Sequence, residues 1–143
     1  MDAEVRKLFA RYEELFNLSL GGDPDLDAIA SLYATEFIGA APAGVRAGRN
    51  DDQFKASMAQ GYAQYRAIGT RDMRIRHLHR TPIDAHHCIA RVSWAATYAR
   101  ADLAATTIEF EVHYLVQILN GEARVFGWIS GDEQALLRQR GIV

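Results

Sequence analysis

The sequence predicts an α+β fold in which a long, curved antiparallel sheet is covered on one face by three N-terminal helices, with a short helix at the C-terminus. Three observations carry this reading. Residues 106–119 alternate with a period of two: Ile108, Phe110, Val112, Tyr114, Val116 and Ile118 fall on one side, Glu109, Glu111, His113 and Gln117 on the other. That is a strand with one buried face. Asn120-Gly121 then supplies two residues suited to positive φ in a type I′ turn, so 122–130 returns as the partner strand. Before residue 70, by contrast, apolar residues recur three and four apart, which is the rhythm of helices.

Along the chain, Val5, Leu8, Phe9, Tyr12, Leu15, Phe16 and Ser19 trace one face of a first helix that Gly21-Gly22 can end. Asp23-Pro24 reads as an N-cap with proline at the first helical position. It opens a second helix whose Leu26, Ile29, Ala30, Tyr33 and Phe37 face inward. Residues 38–48 hold three glycines and Pro42 and read as a loop or short hairpin. Asn50 with Gln53 resembles a capping box for a third helix aligning Phe54, Met58, Tyr62 and Tyr65, with Gly69 just past its end. Strands are expected over 72–80, 86–100, 106–119 and 122–130. Ser130 and Glu133 form another capping box, and Gly141 closes the short last helix.

Composition bounds the function classes. With 143 residues, the chain is read as one domain, 1–143, with enough length for a sizeable core. A net charge of −2 lacks the basic excess of a nucleic-acid surface. No apolar run reaches membrane-spanning length, and the N-terminus lacks the basic-then-apolar order of a signal peptide. Cys88 is the single cysteine, so no intrachain disulfide can form and a reducing, cytoplasmic compartment is expected. Its own reading is that of a small buried apolar residue. No G-x-G-x-x-G, P-loop, C-x-x-C or G-x-S-x-G pattern occurs, so nucleotide binding and serine or cysteine nucleophilic chemistry have no support.

In the strand 86–100, Cys88, Ala90, Val92, Trp94, Ala96 and Tyr98 share even parity. If even positions face the helices throughout the sheet, then Trp94, Tyr98, Phe110, Tyr114, Phe126 and Trp128 all point beneath them. Two readings stand: these rings fill the core, or they line a hollow with hydroxyl and indole groups as polar handles.

The ordered set of motifs resembles the nuclear-transport-factor-2-like superfamily, and within it the SnoaL-like and ketosteroid-isomerase-like proteins, over nearly the whole chain. Its carriers are Arg11-Tyr12, Gly22-Asp23-Pro24-Asp25-Leu26-Asp27, Leu32-Tyr33-Ala34, the loop 44–49, Tyr114-Leu115-Val116, Asn120-Gly121 and Leu136-Leu137-Arg138-Gln139-Arg140-Gly141. The resemblance implies a cystatin-like cone with a deep apolar pocket and a homodimer formed through the outer sheet face. Since the superfamily mixes isomerases, dehydratases, cyclases and non-catalytic members, fold does not settle function. Tyr12 matches the isomerase branch's tyrosine. Its catalytic aspartate falls where this chain has Gly39-Ala40-Ala41-Pro42, and its second acid falls at Tyr114 or Leu115. Without that base, the branch's proton abstraction beside a carbonyl lacks its agent. The cyclase branch's cavity acid has Asp132 as nearest counterpart, at the rim, where the start of a helix equally favours an acid.

Other clusters admit simpler readings. His77 and His79, with His86 and His87 past the turn, are the one metal-like group; pairing could set His79 beside His87, but a third ligand is missing and no metal is expected. Asp84 reads as a turn residue. Arg71, Arg74, Arg76 and Arg80 make one strand basic, either as an outward face balanced by Glu109 and Glu111 or, in another register, with Arg76 aimed at an anionic ligand. Tyr12, Tyr33, Tyr65, Trp94, Phe110, Tyr114 and Trp128 are the expected ligand wall. Tyr12 and Tyr114 are candidate hydrogen-bond donors, and Asp132 or His77 candidate proton acceptors. Three functions remain open: a cofactor-independent lyase, isomerase or hydrolase acting on a small, mostly apolar, cyclic molecule; a binding protein with the same pocket; or an association module using Leu115, Ile89 and the outer face.

Overall fold

The computed structural model describes residues 1–143. Its order is α1 (Asp2–Gly21), α2 (Leu26–Ala30), β1 (Tyr33–Ala41), β2 (Gly44–Arg49), α3 (Asp52–Ala67), β3 (Thr70–Pro82), β4 (His87–Arg100), β5 (Leu103–Leu119), β6 (Glu122–Ser130) and α4 (Glu133–Gln139). Six strands form one open sheet, ordered β2-β1-β6-β5-β4-β3. The β1–β6 pair is parallel and every other pair is antiparallel. The expected α+β plan stands, and no helix is long and apolar enough to cross a membrane.

The inner face obeys the alternation. Cys88, Ala90, Val92, Trp94 and Ala96 pair across β4–β5 with Val116, Tyr114, Val112, Phe110 and Ile108. Removing these side chains from water is the main force holding sheet to helix. Helix α1 lays Val5, Leu8, Phe9, Leu15, Phe16 and Ser19 on that face, as its spacing predicts. Its ring contacts include Phe9 on Tyr114, centroids 4.9 Å apart. At the sheet's edge, α1 also satisfies β3: Asn17 exchanges hydrogen bonds with both the N–H and the C=O of Met73, at 2.9 and 2.8 Å, and Glu13 accepts from Ile75 N–H at 2.6 Å. An edge strand otherwise offers unpaired backbone groups to other chains.

The second helix is shorter than its pattern predicts. It ends at Ala30, and Tyr33 and Phe37 belong to β1. Residues four apart share a face in a helix and also in a strand, so this pair could not discriminate. Pairing with β6 decides it, supported by Asn50, whose amide donates to Ala30 O and Tyr33 O. That use of Asn50 leaves Asp51 to cap α3. Likewise Asp25, not Asp23, caps α2, and Asp132, not Ser130, caps α4. The turn and end signals hold: Asn120 and Gly121 have φ of 53° and 75°, and Gly69 and Gly141, just past helix ends, have 88° and 77°.

Of the register shifts in the sheet, two place residues on the face opposite to the one their parity predicts. In β6 the register shifts opposite Leu115/Val116, so Val125 and Trp128 both face inward. Phe126 is turned to the outer face against His87, not under the helices. In β3 it shifts between Ile75 and His77, which pair with Trp94 and Ser93. One bulged residue reverses the facing of its successors in the strand. His77 is therefore exposed outside, although it shares parity with inward Met73 and Ile75. His79 pairs with Arg91 and His87 with Gln117, so those imidazoles do not meet across the hairpin. Asp84 is the turn residue expected, accepting from His86 N–H and His87 Nδ1, both at 2.8 Å.

Candidate functional site

Between α1, α3, the start of α4 and the inner sheet lies a cavity of about 300 Å3. Helix α1 contributes Tyr12 and Phe16; α3 contributes Phe54, Met58 and Tyr65. Helix α3 has no fully buried residue along its length. Its Met58, Tyr62 and Tyr65 pack half-buried against the core, and Phe54, Met58 and Tyr65 also border the hollow. The sheet supplies Tyr33, Trp94, Phe110, Val112, Tyr114, Trp128 and Ser130, and α4 supplies Glu133. A second hollow of about 510 Å3 beside the β1–β2 hairpin shares Phe54, Trp128 and Ser130 with the first.

The polar groups gather in two places. In one, Tyr33 donates its hydroxyl hydrogen to Tyr12 at 3.1 Å, and Trp94 Nε1 donates to the Tyr114 hydroxyl at 3.1 Å. The Tyr12 and Tyr114 rings meet edge to face, centroids 5.8 Å apart. Burial raises the pKa of all three hydroxyls. They therefore stay protonated and able to donate across the physiological range. In the other place, Tyr65 donates to Glu133 Oε1 at 2.8 Å. Burial raises the Glu133 carboxyl above the usual carboxylate value, and the Tyr65 bond partly offsets this.

All seven residues expected in the wall border this one cavity. Among the residues considered for proton transfer, Tyr12 and Tyr114 are there, while His77 and Asp132 are not. His77 is outside because of the β3 bulge. Asp132 is exposed, its carboxylate accepting from Ala135 N–H at 2.9 Å. Arg76 is outward too, 3.8 Å from Glu109, so no guanidinium enters the cavity from β3. The acid that does enter is Glu133, which the sequence pattern places in a capping box. A signal for it exists, since it comes soon after the inward Trp128 and Ser130, but the S-x-x-E spacing offers a sufficient local reason for an acid there.

The profile of the family described as NTF2-like protein (DUF6841) matches residues 3–133. No curated protein matches the sequence. Among solved structures, an NTF2-like protein with a cystatin-like fold from Novosphingobium aromaticivorans has a TM-score of 0.70 at 14% identity, covering 99% of this chain and 88% of that one. An NTF-2-like protein of unknown function from Shewanella oneidensis gives 0.67 at 16% identity, covering 92% and 98%. A ketosteroid isomerase-like protein from Erwinia carotovora atroseptica gives 0.62 at 16%, covering 90% and 93%. At such identities the likeness is one of fold.

Proposed function

The chain belongs to the NTF2-like family described as DUF6841, and from that premise we propose that it binds a small, largely apolar, ring-shaped molecule in the cavity between Tyr12 and Trp128. The observation that carries this reading is the hollow itself: aromatic walls from four strands and two helices, with hydroxyl donors on one side and one carboxyl on another. Apolar walls with a few convergent polar groups are the usual make-up of small-molecule sites. A thermal-shift screen of steroids, polyketides, terpenoids and aromatic acids tests it, because a ligand of the folded state stabilises by mass action. A selective upward shift that is lost in Trp94→Ala is expected; no shift from any class would count against the pocket.

Glu133 favours a second reading, a cofactor-independent lyase, isomerase or hydrolase. A tyrosine hydroxyl would steady a developing oxyanion while the carboxylate takes the proton. Solvent deuterium entering a bound ligand in the wild type, and not in Glu133→Gln, would mark this chemistry; equal exchange in both would refute it.

For the outer sheet face we propose self-association into a dimer. Ile38, Gly127, Leu115 and Ile89 line up across β1, β6, β5 and β4. Ile38 is 42% exposed and Ile129, one row away, 52%. Sedimentation of Ile38→Lys/Ile129→Lys is expected to show monomer where the wild type shows dimer.

A further inference from the structure

Glu133 is the single charged residue in the cavity lining, which holds no arginine, lysine or histidine. Its carboxyl has one protein hydrogen bond, from Tyr65. The hydroxyls around it come from three elements: Tyr65 of α3 donates to it, Tyr12 of α1 borders the same cavity, and Tyr98 of β4 is near enough for the carboxylate's charge to raise that phenol's pKa. Beside it in the chain, at the start of its own helix, is Asp132, another acid, turned to solvent. No positive charge on this chain answers the carboxylate. A half-desolvated carboxylate without a cation is an unfavourable arrangement that a positively charged partner relieves. An anionic guest would be repelled there, and a neutral guest would leave the charge uncompensated.

The walls point the same way. Tyr12 and Trp94 have centroids 5.6 Å apart, and Tyr33 and Trp128 have centroids 5.8 Å apart. Ring faces carry the negative part of the aromatic quadrupole, which is why clusters of tyrosine and tryptophan hold ammonium groups.

Resting on the pocket reading above, we infer that the molecule this cavity takes up is a cation: a ring-bearing amine in its protonated form, its ammonium group beside Glu133 and its ring among the aromatic walls. Three probes of matched shape test this by calorimetry: 2-aminoindane, 2-indanol and indane-2-carboxylate. The amine is expected to bind about tenfold tighter than the alcohol, and the carboxylate weakest. In Glu133→Gln, whose amide still accepts from Tyr65, the amine's advantage over the alcohol disappears. Amine affinity should rise with pH as Glu133 ionises and fall once the amine loses its own proton. An alcohol that binds as well as the amine, or an amine preference that survives Glu133→Gln, overturns the inference and leaves the pocket reading standing. Failure of all three probes to bind overturns both.

Discussion

Residue by residue, the cavity's behaviour turns on Glu133. Its folded-state pKa is raised above the ordinary 4.5, chiefly by burial. A raised pKa means that the group's contribution to stability is fully present below the unfolded value and is lost as pH rises through the folded one. Relative to the wild type, Glu133→Gln should therefore gain stability between about pH 4 and neutrality, and little below that range. Melting curves of both proteins across the range check this; parallel pH profiles would contradict it. Gly69 poses a purely steric case. Its φ is +88°, and a Cβ there would stand 2.7 Å from Ala99 O. Gly69→Ala is expected to destabilise by about 1–3 kcal/mol in denaturant titration, through the left-handed backbone and that clash together. The glycine is legible in the sequence as a helix-ending residue. The clash is not, because Ala99 is brought to it only by β3–β4 pairing.

Among the elements, β3 depends most on a neighbour. It is an edge strand whose outer backbone groups have no partner strand, and Asn17 and Glu13 of α1 take up those of Met73 and Ile75. Asn17→Ala should strand the N–H and C=O of Met73 and cost about 1–3 kcal/mol, seen as a lower denaturation midpoint. An unchanged midpoint would mean that water replaces the amide at no cost. The β3 bulge explains why parity misplaces His77, and the β6 bulge why it misplaces Phe126. Alternation is a local rule, and one inserted residue reverses it downstream. Capping patterns mislead for a related reason. Several acceptors near each helix start could serve, and Asn50 is drawn instead to the backbone of Ala30 and Tyr33, residues distant in sequence.

Taken whole, the molecule gathers buried and half-buried tyrosines beneath its helices. Tyr98 is pushed up to about 12, and Tyr12, Tyr33, Tyr65 and Tyr114 are also raised, in each case first by burial. In the unfolded chain these hydroxyls ionise near 10.0. Their stabilising contribution is complete below that value and is lost as pH climbs through the folded-state values. Alkaline unfolding is therefore expected to be steep between about pH 10 and 12, with tyrosinate absorbance and loss of circular dichroism rising together. Tyrosinate appearing well before unfolding would show that the hydroxyls are open to solvent.

The sequence by itself determined the class of fold, the long β4–β5–β6 meander and the positions of the turn glycines. These rest on periodicity and backbone preference, which are written locally. Tertiary structure alone decided that residues 33–41 are a strand, that two bulges turn His77 and Phe126 outward, and that Glu133 rather than Asp132 enters the hollow. Each depends on partners far apart along the chain: β6 for β1, Ser93 for His77, Tyr65 for Glu133. Hydrogen bonding and burial between such partners outweigh local propensity, and no single stretch of sequence records them.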